Sequence, residues 1–264
     1  MGVSGGLEWT FDTVVSGYEK MRPGYPNELY SSIFDYCQID EHSKTIEVGI
    51  GAGQATLPVL ERGCEVKAIE YGENFSNLCR EKYKDFPKFS VITSKFEDAQ
   101  IEDNSCDLIY SASAFHWVPE EVGYKKVYDA LKSGGAFARF ANHPYHSKDN
   151  PELHKAIDEA YEKYYCTFHN ISYEPVTEYT EEKARDRALL AGKYGFRDIT
   201  YKLFYRVREF SSAEYVELLG TYSDHIVIEE SIRLKFFEAI EKAINEHGGV
   251  IRLFDTIDLQ LARK

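Results

Sequence analysis

The stretch TIEVGIGAGQATL, residues 45–57, places an acid and three glycines at alternate positions, Glu47, Gly49, Gly51 and Gly53, directly behind a β-branched run. Glycine tolerates positive φ and has no Cβ, so a bend of this kind lets a ligand approach the backbone closely. A helix following the bend would offer free N–H groups to that ligand. Seventeen residues after Gly53, the segment CEVKAIEYG sets Glu70 at the end of a second apolar run. A carboxylate there can accept the hydroxyls of a ribose. A tight turn with nothing bound would explain the glycines but not the acid, so the pair points to a nucleotide-like ligand.

A second set of residues has the chemistry to meet another small molecule. Arg22 and Tyr18 lie in YEKMRPGYP, ahead of the glycine bend, and the arginine fork matches a carboxylate. A surface salt bridge would explain Arg22 equally well. His116 and Trp117 follow the segment CDLIYSA, the histidine as base or hydrogen-bond donor and the tryptophan as a packing surface. Asn142 and His143 close the next apolar run, and Tyr222 and His225 stand between two late helical segments as lid candidates. Five of the 20 tyrosines (Tyr161, Tyr164, Tyr165, Tyr173 and Tyr179) fall in a helical stretch, where ordinary core packing accounts for them more simply than a pocket lining.

The elements that must carry these residues follow from periodicity. Short apolar runs at 44–49, 64–71, 88–94, 106–112 and 136–143 alternate with helical spans at 54–63, 74–86 and 119–135. Near-continuous apolar strands separated by helices predict a parallel sheet covered on both faces. Past 143 the pattern turns mainly helical, over 150–165, 179–195, 211–223 and 229–249, with strands at 198–210 and 250–264. The last strand alternates over a long span, which suits an edge or antiparallel position. The expectation is a doubly wound, mostly parallel α/β sheet of seven strands with a helical cap. It forms a single domain over 1–264: a cap segment (1–43), a cofactor-binding core (44–143), a helical addition (144–197), and C-terminal strands with lid helices (198–264).

Two cofactor classes share the bend. A dinucleotide site prefers a third glycine three positions after Gly51, where Gln54 stands. Glu47 has no task beside a pyrophosphate, but it suits a ligand bearing an ammonium group. With acid-x-Gly-x-Gly-x-Gly, FEDAQIEDNSCDLIYSASAFHWV (96–118) and YEKMRPGYP (18–26), the chain resembles the class I S-adenosylmethionine-dependent methyltransferases, and within them the trans-aconitate methyltransferase-like branch. The resemblance covers nearly the whole chain. It implies the Rossmann-like methyltransferase fold and S-adenosylmethionine as cofactor, with Glu47, Gly49, Gly51, Gly53, Glu70, Tyr71, Phe96, Glu97, Ser111 and Trp117 around it. His116, Tyr18 and Arg22 are then the catalytic candidates. One departure is Lys95, which stands where many relatives carry an acid to receive the adenine amino group; lysine cannot accept that bond. The adenine would then fall to the backbone at Phe96, with Glu97 as a side-chain partner.

Composition narrows the rest. A formal charge of −13 disfavours a nucleic-acid substrate. No apolar run reaches the roughly 18 residues of a membrane span, and the start MGVSGGLEWT has no signal-peptide pattern. Five irregularly spaced cysteines suit a reducing, cytoplasmic setting without disulfides, and HPYH (143–146) has no third ligand nearby to make a metal site. The predicted activity is methyl transfer to a small molecule, such as a carboxylic acid. The alternatives are a nicotinamide-dependent oxidoreductase and a non-catalytic S-adenosylmethionine-binding protein. Neither the acceptor nor the oligomeric state follows from the residues.

Overall fold

The computed structural model describes residues 7, 10, 12, 15–146 and 149–264, the side chains of 15 and 16 excepted. Seven strands form one sheet: β1 (Lys44–Val48), β2 (Glu65–Glu70), β3 (Phe89–Thr93), β4 (Cys106–Ala112), β5 (Leu131–His146), β6 (Arg197–Ser211) and β7 (Val250–Arg263). Their order is β3-β2-β1-β4-β5-β7-β6. β1 pairs in parallel with β2 and β4, β2 with β3, and β4 with β5. The chain reverses its direction of travel across the sheet between β1 and β4, the place where open α/β sheets bind ligands beyond their carboxyl ends.

The chain divides into two compact units. A core unit takes Pro23–Asn142, Tyr179–Phe204 and Ile257–Lys264; a helical unit takes Met1–Arg22, His143–Glu178 and Tyr205–Thr256. In the core unit both faces of the sheet are apolar. On one face Leu29, Tyr30 and Ile33 of the helix Asn27–Tyr36 pack with Val66, Leu108 and Phe140. On the other, Tyr124 and Val127 of the helix Glu120–Ala130 pack with Ile109, Phe115, Phe137 and Phe196. A fully buried aliphatic side chain such as Leu108 or Ile109 stabilises the fold by about 2 kcal/mol relative to exposure. The helical unit has its own core, in which Leu153, Ile157, Leu218, Leu219, Phe236 and Ile240 meet.

Several elements depart from the periodicity. The helix expected over 54–63 is reduced to Leu57–Leu60, because the chain spends 51–56 in turns and the Thr56 hydroxyl bonds to Glu47 rather than capping a helix. The helix expected to run to 135 ends at Ala130, and β5 starts at Leu131 and passes through the Gly-Gly pair. Gly135 permits this, since a Cβ there would lie 3.0 to 3.2 Å from the carbonyl oxygens of Lys132, Cys106 and Asp107. The helix expected over 150–165 runs Pro151–Ala160 and continues as a π-turn, Tyr161–Cys166. β7 takes an interior place between β5 and β6, so β6 holds the edge instead. β7 does run antiparallel to β5: the Gly134 N–H donates to the Lys264 carbonyl and the Lys264 N–H to that of Gly135, joining the start of one strand to the end of the other. Among the described residues no helix is long and apolar enough to cross a membrane.

Candidate functional site

In the core unit the glycine bend leaves β1 with φ of +72° at Gly49, +53° at Gly51 and +78° at Gly53. Gly49 also faces a steric limit, since a Cβ there would sit 2.4 Å from the Cβ of Ala114. The three glycine N–H groups are each engaged within the protein. Gly49 donates to Ile69 (2.8 Å), Gly53 to Ile50 (3.0 Å), and Gly51 to the Glu70 carboxylate (2.9 Å). The other Glu70 oxygen accepts the Gly72 N–H at 2.8 Å. Two backbone donors therefore fix this carboxylate against the bend. Glycine spacing and the acid at 70 are thus brought together in one place.

Glu47 lies behind the bend, fully buried. Its Oε2 accepts from Thr56 (2.8 Å) and Tyr110 (2.9 Å), while Oε1 has no partner. Burial raises its pKa to about 7, against the lowering pull of those two bonds and with the nearby Glu70 adding to the rise. A buried carboxylate oxygen without a donor is costly, and a cationic group is the partner it lacks. The Gln54 side-chain nitrogen is likewise buried and unpartnered. Carboxylates at 47 and 70 give the bend an acceptor set that fits a ligand with ribose hydroxyls and an ammonium.

The remaining cofactor candidates are spread along the strand ends. Ser111 is buried, and its hydroxyl donates to the Val48 carbonyl at 2.8 Å, which joins β4 to β1. Phe96 is core, with the Lys126 ammonium 5.4 Å above its ring, and the Glu97 carbonyl accepts from that ammonium. Tyr71 is 45% exposed, and the departing Lys95 lies over its ring at 5.3 Å. His116 and Trp117 share a 3₁₀ turn, Phe115–Trp117, their rings 4.8 Å apart; His116 is exposed and Trp117 half-buried. Sequence reasoning missed Ser113 and Tyr25. Ser113 holds a left-handed φ of +54°, a strain that collects at functional sites. Its hydroxyl meets that of Tyr25 at 2.8 Å and accepts the Asn142 N–H at 3.3 Å. Nothing in a serine's identity signals a left-handed backbone.

The helical unit gathers the other candidates. The Arg22 Nε and Nη2 donate to the Thr221 hydroxyl (3.1 Å) and carbonyl (3.0 Å), and the guanidinium stacks 4.3 Å over Tyr222 and 5.1 Å from Tyr18. His225 is buried, with Nδ1 2.8 Å from Asp224 and Nε2 3.1 Å from the Tyr161 hydroxyl. Burial opposes the charge on Asp224, yet the bond and charge of His225 and the Tyr165 hydroxyl (2.8 Å) hold its pKa down to about 2. Burial raises the Tyr222 phenol, while Arg22 and Arg208 pull it down. Tyr161, Tyr164 and Tyr165 pack about Phe236, while Tyr179 belongs to the core unit. In the HPYH segment, His146 meets the Tyr215 hydroxyl at 2.9 Å and stacks on His154, and no three potential metal ligands stand together among the described residues.

Comparison with known proteins decides the cofactor class. Residues 46–138, from β1 across the bend, Glu70 and β4 into β5, match the family described as "Methyltransferase domain". The chain carries a class I S-adenosylmethionine-dependent methyltransferase domain. It is 26% identical over 229 residues to an uncharacterized methyltransferase of Schizosaccharomyces pombe, covering 85% of this chain and 84% of that protein. A second uncharacterized methyltransferase-like protein of the same organism is 33% identical over 127 residues, about half of each chain (48% of both). A solved putative type II methyltransferase from Anaeromyxobacter dehalogenans shares the fold at a TM-score of 0.62 and 18% identity, over 92% of this chain and 97% of that one. The seven-stranded architecture is the methyltransferase one, and the nicotinamide alternative is set aside.

Proposed function

We propose that this methyltransferase transfers the methyl group of S-adenosylmethionine to a small carboxylic acid. The sulfonium supplies an activated methyl group with a good leaving group. The protein's part is to hold, orient and exclude water. On the core unit, Glu70 is assigned to the ribose and Glu47 to the ammonium, with Tyr71, Phe96, Glu97 and Trp117 along the adenosyl side and Ser111 acting through the β1–β4 junction. A carboxylate acceptor is ionised near neutral pH, so no group need remove a proton from it.

The observation that carries the acid reading is Arg22. Its guanidinium is fixed by Thr221 and by the Tyr222 and Tyr18 rings, it has no acidic partner among the described residues, and its Nη1 donors are unspent. A preorganised fork without a carboxylate of its own is suited to receive one from a ligand. In this reading Arg22 and Tyr18 of the helical unit hold the acceptor, and His116 of the core unit is a hydrogen-bond donor. The test is methyl transfer from labelled S-adenosylmethionine to a library of small carboxylic acids. Arg22→Met is expected to raise KM for the acid about 100-fold with cofactor affinity unchanged. An unchanged KM contradicts the assignment.

A further inference from the structure

The YEKMRPGYP motif carries more than Tyr18 and Arg22. Its last residues belong to the core unit and touch two pieces of the site there. A Cβ on Gly24 would meet the Gln54 carbonyl, at the end of the glycine bend, at 3.6 Å. The Tyr25 hydroxyl lies 2.8 Å from that of Ser113, the first residue past β4. The Tyr25 ring stands edge-on to Phe140 of β5, centroids 4.7 Å apart. The bend and the end of β4 also touch directly, since Gly49 has no room for a Cβ against Ala114. Three segments distant in the chain therefore close on one another pairwise.

Ser113 takes part in this with a strained backbone. A φ of +54° is disfavoured for a residue with a Cβ and persists where its surroundings over-determine it. Those surroundings are explicit. The Ser113 N–H donates to the Phe140 carbonyl at 2.8 Å, and its hydroxyl accepts the Asn142 N–H at 3.3 Å besides pairing with Tyr25. Glycine would adopt this backbone without strain but would leave both hydroxyl bonds unmade. The strain is therefore the cost of keeping a hydroxyl here. Past Ala114 the chain enters the 3₁₀ turn Phe115–Trp117, which the buried Phe115 anchors in the core. Ser113 and Ala114 thus set where the turn bearing His116 and Trp117 leaves the sheet.

We propose that Tyr25 and Ser113 are positioning residues for the cofactor: their hydroxyl pair locks the end of β4 against the glycine bend, so that the seat is formed before S-adenosylmethionine arrives. This rests on the bend being the cofactor seat and is independent of the acceptor. It differs from a purely structural role, for which the Tyr25 ring against Phe140 would suffice. A seat ordered in advance spares the ligand the cost of ordering it.

The test is calorimetric titration of the full chain with S-adenosylmethionine, alongside thermal unfolding, for Tyr25→Phe, Ser113→Gly and the double variant. Each single change is expected to weaken binding about 5- to 10-fold. The double variant is expected to lose no more than about tenfold, because both changes remove the same bond. Ser113→Gly should hold its unfolding midpoint within about 3 °C of wild type, as relief at a positive φ offsets the lost bonds. Affinity and stability then separate, which a structural role does not produce. If Tyr25→Phe does not fold, Ser113→Gly decides alone, and an affinity within about two-fold of wild type overturns the proposal. Single variants that bind like wild type, losses that multiply in the double variant, or an affinity loss that comes only with a lowered midpoint also overturn it, while the seat stands. If the wild-type protein binds no S-adenosylmethionine up to millimolar concentration, the seat itself falls and this proposal with it.

Discussion

Glu47 is the residue whose chemistry is most exposed to test. Its carboxyl is buried, holds Thr56 and Tyr110 on one oxygen, and titrates near pH 7. An ammonium beside the unpartnered oxygen favours the ionised form, so binding below pH 7 must first displace a proton. S-adenosylmethionine affinity should therefore rise up to about tenfold per unit as pH climbs toward 7 and level off above it. Titration calorimetry in buffers of different ionisation enthalpy reads the released proton directly. Glu47→Gln should flatten the profile; a wild-type affinity that is constant from pH 6 to 8 contradicts the assignment. Gly49 gives a steric counterpart. Gly49→Ala puts a methyl at φ +72° against Ala114, 2.4 Å away. The expected cost is about 2 kcal/mol or more, with loss of cofactor binding. Thermal unfolding with and without cofactor checks both.

At the scale of elements, the helix Ser212–Leu219 ends just before Thr221 and Tyr222, the two residues that fix the Arg22 guanidinium. Ser211 caps it reciprocally: the Glu214 N–H donates to the Ser211 hydroxyl while the Glu214 carboxylate receives the Ser211 N–H. Ser211→Ala should cost about 1 kcal/mol in urea unfolding. Elements of this kind were unevenly legible in the chain. The four parallel pairings follow from near-continuous apolar runs, and Glu70 could be placed because its strand ends at the acid. The interior position of β7 was hidden, because alternation in VIRLFDTIDLQLARK fixes a face and not a neighbour. A salt bridge from Arg208 to Asp255 joins residues 47 apart on two strands, and only the pairing of those strands brings them together. His225 and Tyr161 were each visible as candidates, but their contact depends on a π-turn that no residue type announces. Phe96 shows the opposite limit: the aromatic side chain beside the motif is buried core.

For the molecule as a whole, two buried titrations shape stability against pH. Glu47 has a folded pKa near 7, above its ordinary value of 4.5. The unfolded chain therefore ionises first, and stability falls as pH rises from about 4.5 to 7, by about 3 kcal/mol in all. His146 is held neutral by burial and by His154, its pKa lowered from 6.5 to about 4. There the unfolded chain takes up the proton first, and stability falls as pH drops from about 6.5 toward 4. The two slopes oppose each other between about pH 4.5 and 6.5. Urea unfolding should show Glu47→Gln gaining on the wild-type protein between pH 5 and 8; a constant difference would contradict the burial argument.

The core unit carries the central claim, that the bend from β1 and the carboxylate at the end of β2 seat the adenosyl sulfonium. Calorimetric titration of the wild-type protein with S-adenosylmethionine at pH 7.5 tests it most directly. A single site with a dissociation constant on the order of micromolar is the predicted result. Absence of binding up to millimolar concentration, in a protein shown to be folded, would contradict it.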